Sequence, residues 1–247
     1  QSQNDSVVGV HGFDRHAETF TEGVLDRNGP GCMNGHTEWG VNAHAPITQF
    51  IAETLEERLP IHELDKAQLL KDVSRSWDDD IVRQLHDYIE VPAKSPAFDT
   101  QWAQHGLLHR VLHNAADWVR AQTVPGLQLE IIELPGRTPV LFFEVPATRT
   151  AHEGSQQTVL MYGHLDKQPE FNGWRSDLGP WSPQYLDGLL YGRGAADDGY
   201  AVYASVAAVQ ALKRQQVPHP RIVGLIETGE ESGSPDLIPY IDVLRAR

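Results

Sequence analysis

The chain predicts an α/β fold, a mixed sheet covered by helices on both faces, and three observations carry that expectation. Apolar, β-branched runs recur in the second half as "LQLEIIEL", "PVLFFEV", "TVLMYGHLD" and "RIVGLIE". The last of these, Arg221 to Glu227, is apolar with almost no alternation, the pattern of a strand buried on both sides. Between it and the preceding run lies "YAVYASVAAVQALKRQQ", rich in Ala and closing on Lys213 and Arg214, where cations suit the helix dipole. Strand, helix and buried strand in that order need a layer on each face.

Taken in order, the elements begin late. Residues 1–65 include "DRNGPGCMNGHTEWGVNAHAP", dense in Gly, Asn and Pro, with no sustained period, and are expected to form an irregular or weakly ordered lead. Its histidines, His11, His16, His36 and His44, match no zinc spacing and read as scattered surface residues. In "DDDIVRQLHDYIEVP", Ile81, Leu85, Tyr88 and Ile89 share one helical face, with acids in the first turn and Pro92 as the stop. "GLLHRVLHNAADWVRAQ" repeats the device through Leu108, Val111, Leu112, Ala115 and Val119, which leaves His109 and His113 on the surface. In "YLDGLLYGRG", Asp187-Gly188 is a hairpin signal between two short strands.

Composition bounds the function. At 247 residues, 40% apolar and 22% charged, the chain is globular material for one large domain or one domain plus part of another. Lys and Arg total 20 against 34 Asp and Glu, and the net charge of -14 argues against nucleic-acid and anionic-membrane partners. A surplus of carboxylates suits cation binding instead. The single cysteine, Cys32, cannot form an intrachain disulfide and reads as a bystander. With no apolar run long enough to span a bilayer and no signal pattern in "QSQNDSVVGV", the expected location is the cytoplasm.

Chemistry concentrates where strands end. "TVLMYG" delivers "HLD", so His164 and Asp166 stand two residues apart and, if extended, point to one side. A neutral imidazole is a ligand for borderline divalent metals, and a nearby carboxylate can fix its tautomer, although a polar loop would read the same way. In "YGRGAADDGYA", Asp197 occupies the third glycine position of a dinucleotide fingerprint, and carboxylates there repel a pyrophosphate. Asp197 can cap the following helix or bind a cation, and for Asp198 capping is the preferred reading. "IVGLIETGEESGS" ends a buried strand in Glu230 and Glu231, whose side chains leave the backbone in different directions. One can bind metal while the other moves the proton of a water, the division that metal-assisted hydrolysis requires. Adjacent acids cannot easily flank a glycosidic bond at the ~5 to 9.5 Å separation of that chemistry.

Through "GHLDKQP", "LYGRGAADD" and "ETGEESGS" the chain resembles the M20 family of metallopeptidases, the group of carnosinases, glutamate carboxypeptidases, aminoacylases and desuccinylases. The resemblance runs from Trp77 to the last residue and includes "IEVPAKSP". It implies a zinc-exopeptidase-like catalytic domain with two divalent metal ions, zinc first, Mn2+ or Co2+ as alternatives. It implies His164 as a ligand of one metal, Asp166 orienting that ring, Asp197 bridging both metals before a cis peptide bond, Glu230 as general base and Glu231 as a ligand of the second metal. The substrate so implied is a small peptide, or an N-acyl amino acid if the protein is a deacylase or desuccinylase; a non-catalytic metal-binding remnant is the rival from another class. Two departures stand out. Asp198-Gly199-Tyr200 replaces the family's usual Lys-Gly after the bridging aspartate, and the family's remaining ligands and lid domain have no counterparts before Arg247. The resemblance therefore implies a truncated domain over residues 66–247, inactive alone, from a parent that is a homodimer through its lid. Trp174 and Trp181 in "NGWRSDLGPWSP" could line the approach to the metals, with packing of a long loop the stronger reading.

Overall fold

The computed structural model describes Val8–His11, Trp39–Val41, residues 64–148 and residues 157–245. Cys32, His16, His36 and His44 lie outside the described residues. Two strands fall within the segment expected to be irregular, β1 (Val8–His11) and β2 (Trp39–Val41), which pair in parallel.

The first helix starts earlier than the acidic cluster suggests. Asp65 caps α1 (Lys66–Ser76) by accepting from the Gln68 amide at 2.9 Å. The helix then runs through a π turn, Trp77–Ile81, into α2 (Val82–Ile89). Asp78, Asp79 and Asp80 therefore sit mid-helix, not in a first turn, because the capping residue that starts the helix is Asp65. The π turn leaves both Trp77 and Ile81 buried, in line with Leu85, Tyr88 and Ile89. After the short α3 (Trp102–His105), α4 (Leu107–Ala121) buries the stripe Leu108, Val111, Leu112, Ala115 and Val119.

The main sheet has the order β3-β4-β8-β5, built from β3 (Gln128–Ile132), β4 (Val140–Val145), β5 (Thr158–His164) and β8 (Arg221–Glu227). β4 is antiparallel to both β3 and β8, while β5 runs parallel to β8, so the sheet is mixed. Between β5 and β8 the chain forms a hairpin, β6 (Gln184–Leu186) and β7 (Leu189–Tyr191), then the helix α5 (Tyr200–Arg214). Asp187 and Gly188 turn that hairpin with φ of 52° and 82°, the left-handed pair such a two-residue turn requires. β7 also pairs with β1, giving a second sheet of order β2-β1-β7-β6.

Alternation along β4 sets two layers. Leu141, Phe143 and Val145 join α2, α4 and α5 in the larger core, whereas Val140 and Phe142 face α6 (Leu237–Leu244) through Tyr240 and Leu225. Helices thus lie on both faces. The second face is covered over β3, β4 and β8, and at the edge strand β5 Leu160 and Tyr162 remain exposed. No helix among the described residues is long and apolar enough to cross a membrane.

Candidate metal centre

Parallel pairing of β5 with β8 sets His164 opposite Glu227, so the segments that follow both strands leave the same sheet edge. The ladder continues one step further, with the Leu165 amide donating to Glu227 O at 2.9 Å. His164 and Asp166 are both buried, at 4% and 0% exposure. Asp166 accepts from the Glu230 amide at 3.1 Å and the Glu231 amide at 2.9 Å, which ties the single 3-10 turn Glu230–Ser232 to the end of β5. The His164 ring lies between carboxylates. Its Nδ1 is 3.2 Å from Asp166 O and 3.4 Å from Asp166 Oδ1, and its Nε2 is 3.1 Å from Asp197 Oδ1 and 3.5 Å from Glu230 Oε2.

Asp197 and Asp198 reach this edge from the turn Ala195–Gly199 before α5. Their peptide bond is cis, as the family resemblance implies. Helix capping by Asp198 is not what the structure has. Neither the turn nor α5 carries a side-chain cap, and Asp198 Oδ2 instead accepts from the His164 amide at 3.2 Å. The backbone of Asp197 and Asp198 is non-helical, which turns the second carboxylate back to β5 and away from the first amides of α5.

Crowded acids shape the electrostatics. Burial opposes a charge on His164, yet its bonds to Asp166 and Asp197 prevail and raise its pKa to about 11. Burial, with the charge of Asp197, pushes Glu231 up to about 7, and burial pushes Asp198 up to about 7. The bond to His164 holds Asp197 below the usual carboxylate range. Here the ring proton does the work of a cation among acids, and a divalent ion can displace it, since metal binding releases protons from its ligands. His164, Glu230 and Glu231 each place a ligand atom within 4.8 Å of the others, a nitrogen and oxygen donor set that fits zinc. Another such group, His86, Asp87 and Glu90, lies on the outer side of α2 and is ordinary surface charge.

Several contacts were not apparent from sequence. Gln168 Nε2 bonds Glu231 Oε2, and Tyr162 and Ser234 both donate to Glu227 Oε1, at 2.5 Å and 2.8 Å. Trp174 ties its own loop together by donating to Glu170 O at 2.8 Å, the packing role. Only the acids and histidine that end apolar runs carried a sequence signal; the Gln168–Glu231 and Tyr162–Glu227 contacts join residues 63 and 65 apart in the chain.

Several known proteins are similar to this chain. Residues 160–246 match peptidase family M20/M25/M40. Beta-Ala-His dipeptidase of Homo sapiens is 30% identical over 161 residues, 63% of this chain and 31% of the relative. Succinyl-diaminopimelate desuccinylase of Acinetobacter baylyi is 37% identical over 103 residues, 39% of this chain and 26% of the relative. Among solved structures, human carnosine dipeptidase 1 aligns with a TM-score of 0.56 and 26% identity over 73% of this chain and 38% of its own. The dipeptidase Dug1p of Saccharomyces cerevisiae shares the fold, with a TM-score of 0.54 over 71% of this chain and 37% of its own. Over these stretches the chain is similar to M20 metallopeptidases, and it spans between 26% and 38% of the length of these four relatives.

Proposed function

We propose that the protein carrying this chain is a dinuclear, zinc-first hydrolase of amide bonds in dipeptides or other short peptides. The observation that carries the reading is the convergence of His164, Asp197, Glu230 and Glu231 on one sheet edge, around a buried Asp166. His164, Asp197 and Glu231 would hold the ions, with Asp197 shared, and Mn2+ or Co2+ could replace zinc. Bound there, the ions would supply Lewis acidity that polarises the scissile carbonyl and lowers the pKa of water. Asp166 fixes the His164 ring and the turn that follows β8. Glu230, whose side chain is 42% exposed, is free to take a proton from the attacking water. As the C–N bond breaks, it passes that proton to the leaving amine.

The longer alignment with a dipeptidase favours peptide substrates, while the desuccinylase match supports N-acyl amino acids as the second reading. Residues 66–247 then form the N-terminal portion of the catalytic domain behind a lead of residues 1–65, in a cytoplasmic parent that is a homodimer. A panel of dipeptides against acetyl- and succinyl-amino acids, run on the full-length protein with and without chelator, tests the proposal. Chelator-sensitive cleavage of dipeptides is expected. Cleavage of N-acyl amino acids alone would favour the second reading, and turnover of nothing by a zinc-loaded protein would leave a metal-binding remnant.

A further inference from the structure

The proposed reaction makes no use of the residue directly after Asp166. Lys167 is fully buried, at 0% exposure. Its Nζ donates to Tyr88 O at 2.6 Å, Val91 O at 2.7 Å and Ile89 O at 3.5 Å, one carbonyl for each ammonium hydrogen. Tyr88 and Ile89 end α2 and Val91 follows it, where the helix dipole is negative; Tyr88 O and Val91 O also accept from the Val91 and Ala93 amides, at 3.2 Å and 2.8 Å. The same Nζ lies 3.7 Å from the centre of the Tyr88 ring. Burial, and after it the charge of Arg193, lower the Lys167 pKa well below its usual value, and the carbonyls of this helix end offset part of that cost without a carboxylate.

The surrounding backbone shows what the arrangement holds. Lys167 donates its amide to Ala93 O and accepts from the Ser95 amide, both at 3.0 Å, and Tyr88 Oη donates to Leu165 O at 3.1 Å. Asp166 is thereby fixed from both sides, and its carboxylate in turn grips the amides of Glu230 and Glu231. The loop that carries Asp197 rests on the same pair. A Cβ on Gly194, at φ 84°, would stand 2.9 Å from Lys167 Cγ, and one on Gly199 would stand 2.2 Å from Tyr88 Cε1.

We propose that Lys167, packed on Tyr88, is a positioning residue whose ammonium fastens the Asp166, Asp197 and Glu230-Glu231 loops to the C-terminal end of α2. Its consequence for metal binding rests on the function proposed above; the positioning does not. Lys167→Met fills a similar volume and removes the one side-chain donor that the three carbonyls share. In the metal-free full-length protein, hydrogen exchange should show lost protection at the Glu230 and Glu231 amides, with the β4 and β8 amides Phe143 and Leu225 unchanged. Zinc affinity should fall about 10- to 100-fold, the usual effect of losing a residue that supports ligands, with a lower kcat and little change in KM. A uniform loss of protection across the sheet, or unchanged Glu230 and Glu231 amides, would overturn the inference. Selective loosening in a protein whose wild type binds no zinc would uphold the positioning and refute the metal centre. Should Lys167→Met fail to fold, Lys167→Gln, which keeps a shorter neutral donor, is read the same way, and there too unchanged Glu230 and Glu231 protection overturns the inference.

Discussion

Glu230 and Glu231 are neighbours in sequence with different surroundings. Glu231 is bonded by Gln168 and pushed up to about 7 by burial, whereas Glu230 keeps a side chain 42% exposed. Glu230→Gln in the full-length protein should therefore retain near-normal metal content and lose hydrolysis by ~100-fold or more. A metal analysis that finds the variant empty would reverse the roles of the two acids. Away from the site, His219 has surroundings that disfavour its charge. It is 1% exposed, its Nδ1–H donates to Pro220 O at 2.7 Å, and its Nε2 is buried with no partner among the described residues. Burial lowers its pKa below the usual 6.5, so the unfolded chain takes up a proton first as pH falls. The stability this neutral ring contributes is full above 6.5 and is lost as pH falls through the depressed folded value. Urea titrations from pH 8 to 5 should show a smaller acid-side loss for His219→Gln than for the wild type; identical slopes would mean the ring does not titrate with folding.

At the scale of elements, the strands were legible in sequence because their apolar runs are short and bounded, and α4 because its stripe keeps a strict period. The start of α1 was not, since its signal is one capping aspartate, Asp65, while three later acids, Asp78 to Asp80, imitate a first turn. The acids proposed to hold metal were legible because each follows an apolar run. Lys167, Gln168 and the Tyr162 bond of Glu227 were not, because these contacts span 63 to 79 residues. Asp198 was misread for a related reason: its sequence position before a helix favours a cap, but the backbone path sends its carboxylate to His164. Packing between β4 and β8 depends on a residue that looks unremarkable in the apolar run. Gly224 pairs with Phe143, and a Cβ there would stand 2.0 Å from the buried Phe143 ring. Gly224→Ala should cost about 1 to 3 kcal/mol, read as a lower urea midpoint at constant slope, and Phe143→Leu in the same chain should recover part of it. Equal midpoints for Gly224→Ala and the wild type would mean that the ring moves aside freely.

At the scale of the whole molecule, the sheet is better covered on one face than on the other. Edge strand β5 presents Leu160 at 60% and Tyr162 at 43% exposure, and α6 exposes Ile238 at 64%. An edge of this kind promotes association between chains. The 247-residue polypeptide should therefore self-associate with rising concentration, and Leu160→Lys should shift it towards monomer in sedimentation while changing stability by less than about 0.5 kcal/mol. Association that Leu160→Lys leaves untouched would place the contact elsewhere. The same strand has a further consequence. Because β5 pairs with β8 residue by residue from Thr158 to His164, the ladder acts as a ruler for the chemistry beyond it. Deleting one residue inside β5 would draw His164 back by ~3.3 Å and turn its ring to the opposite face, while the same deletion ahead of Thr158 would leave the ruler unread.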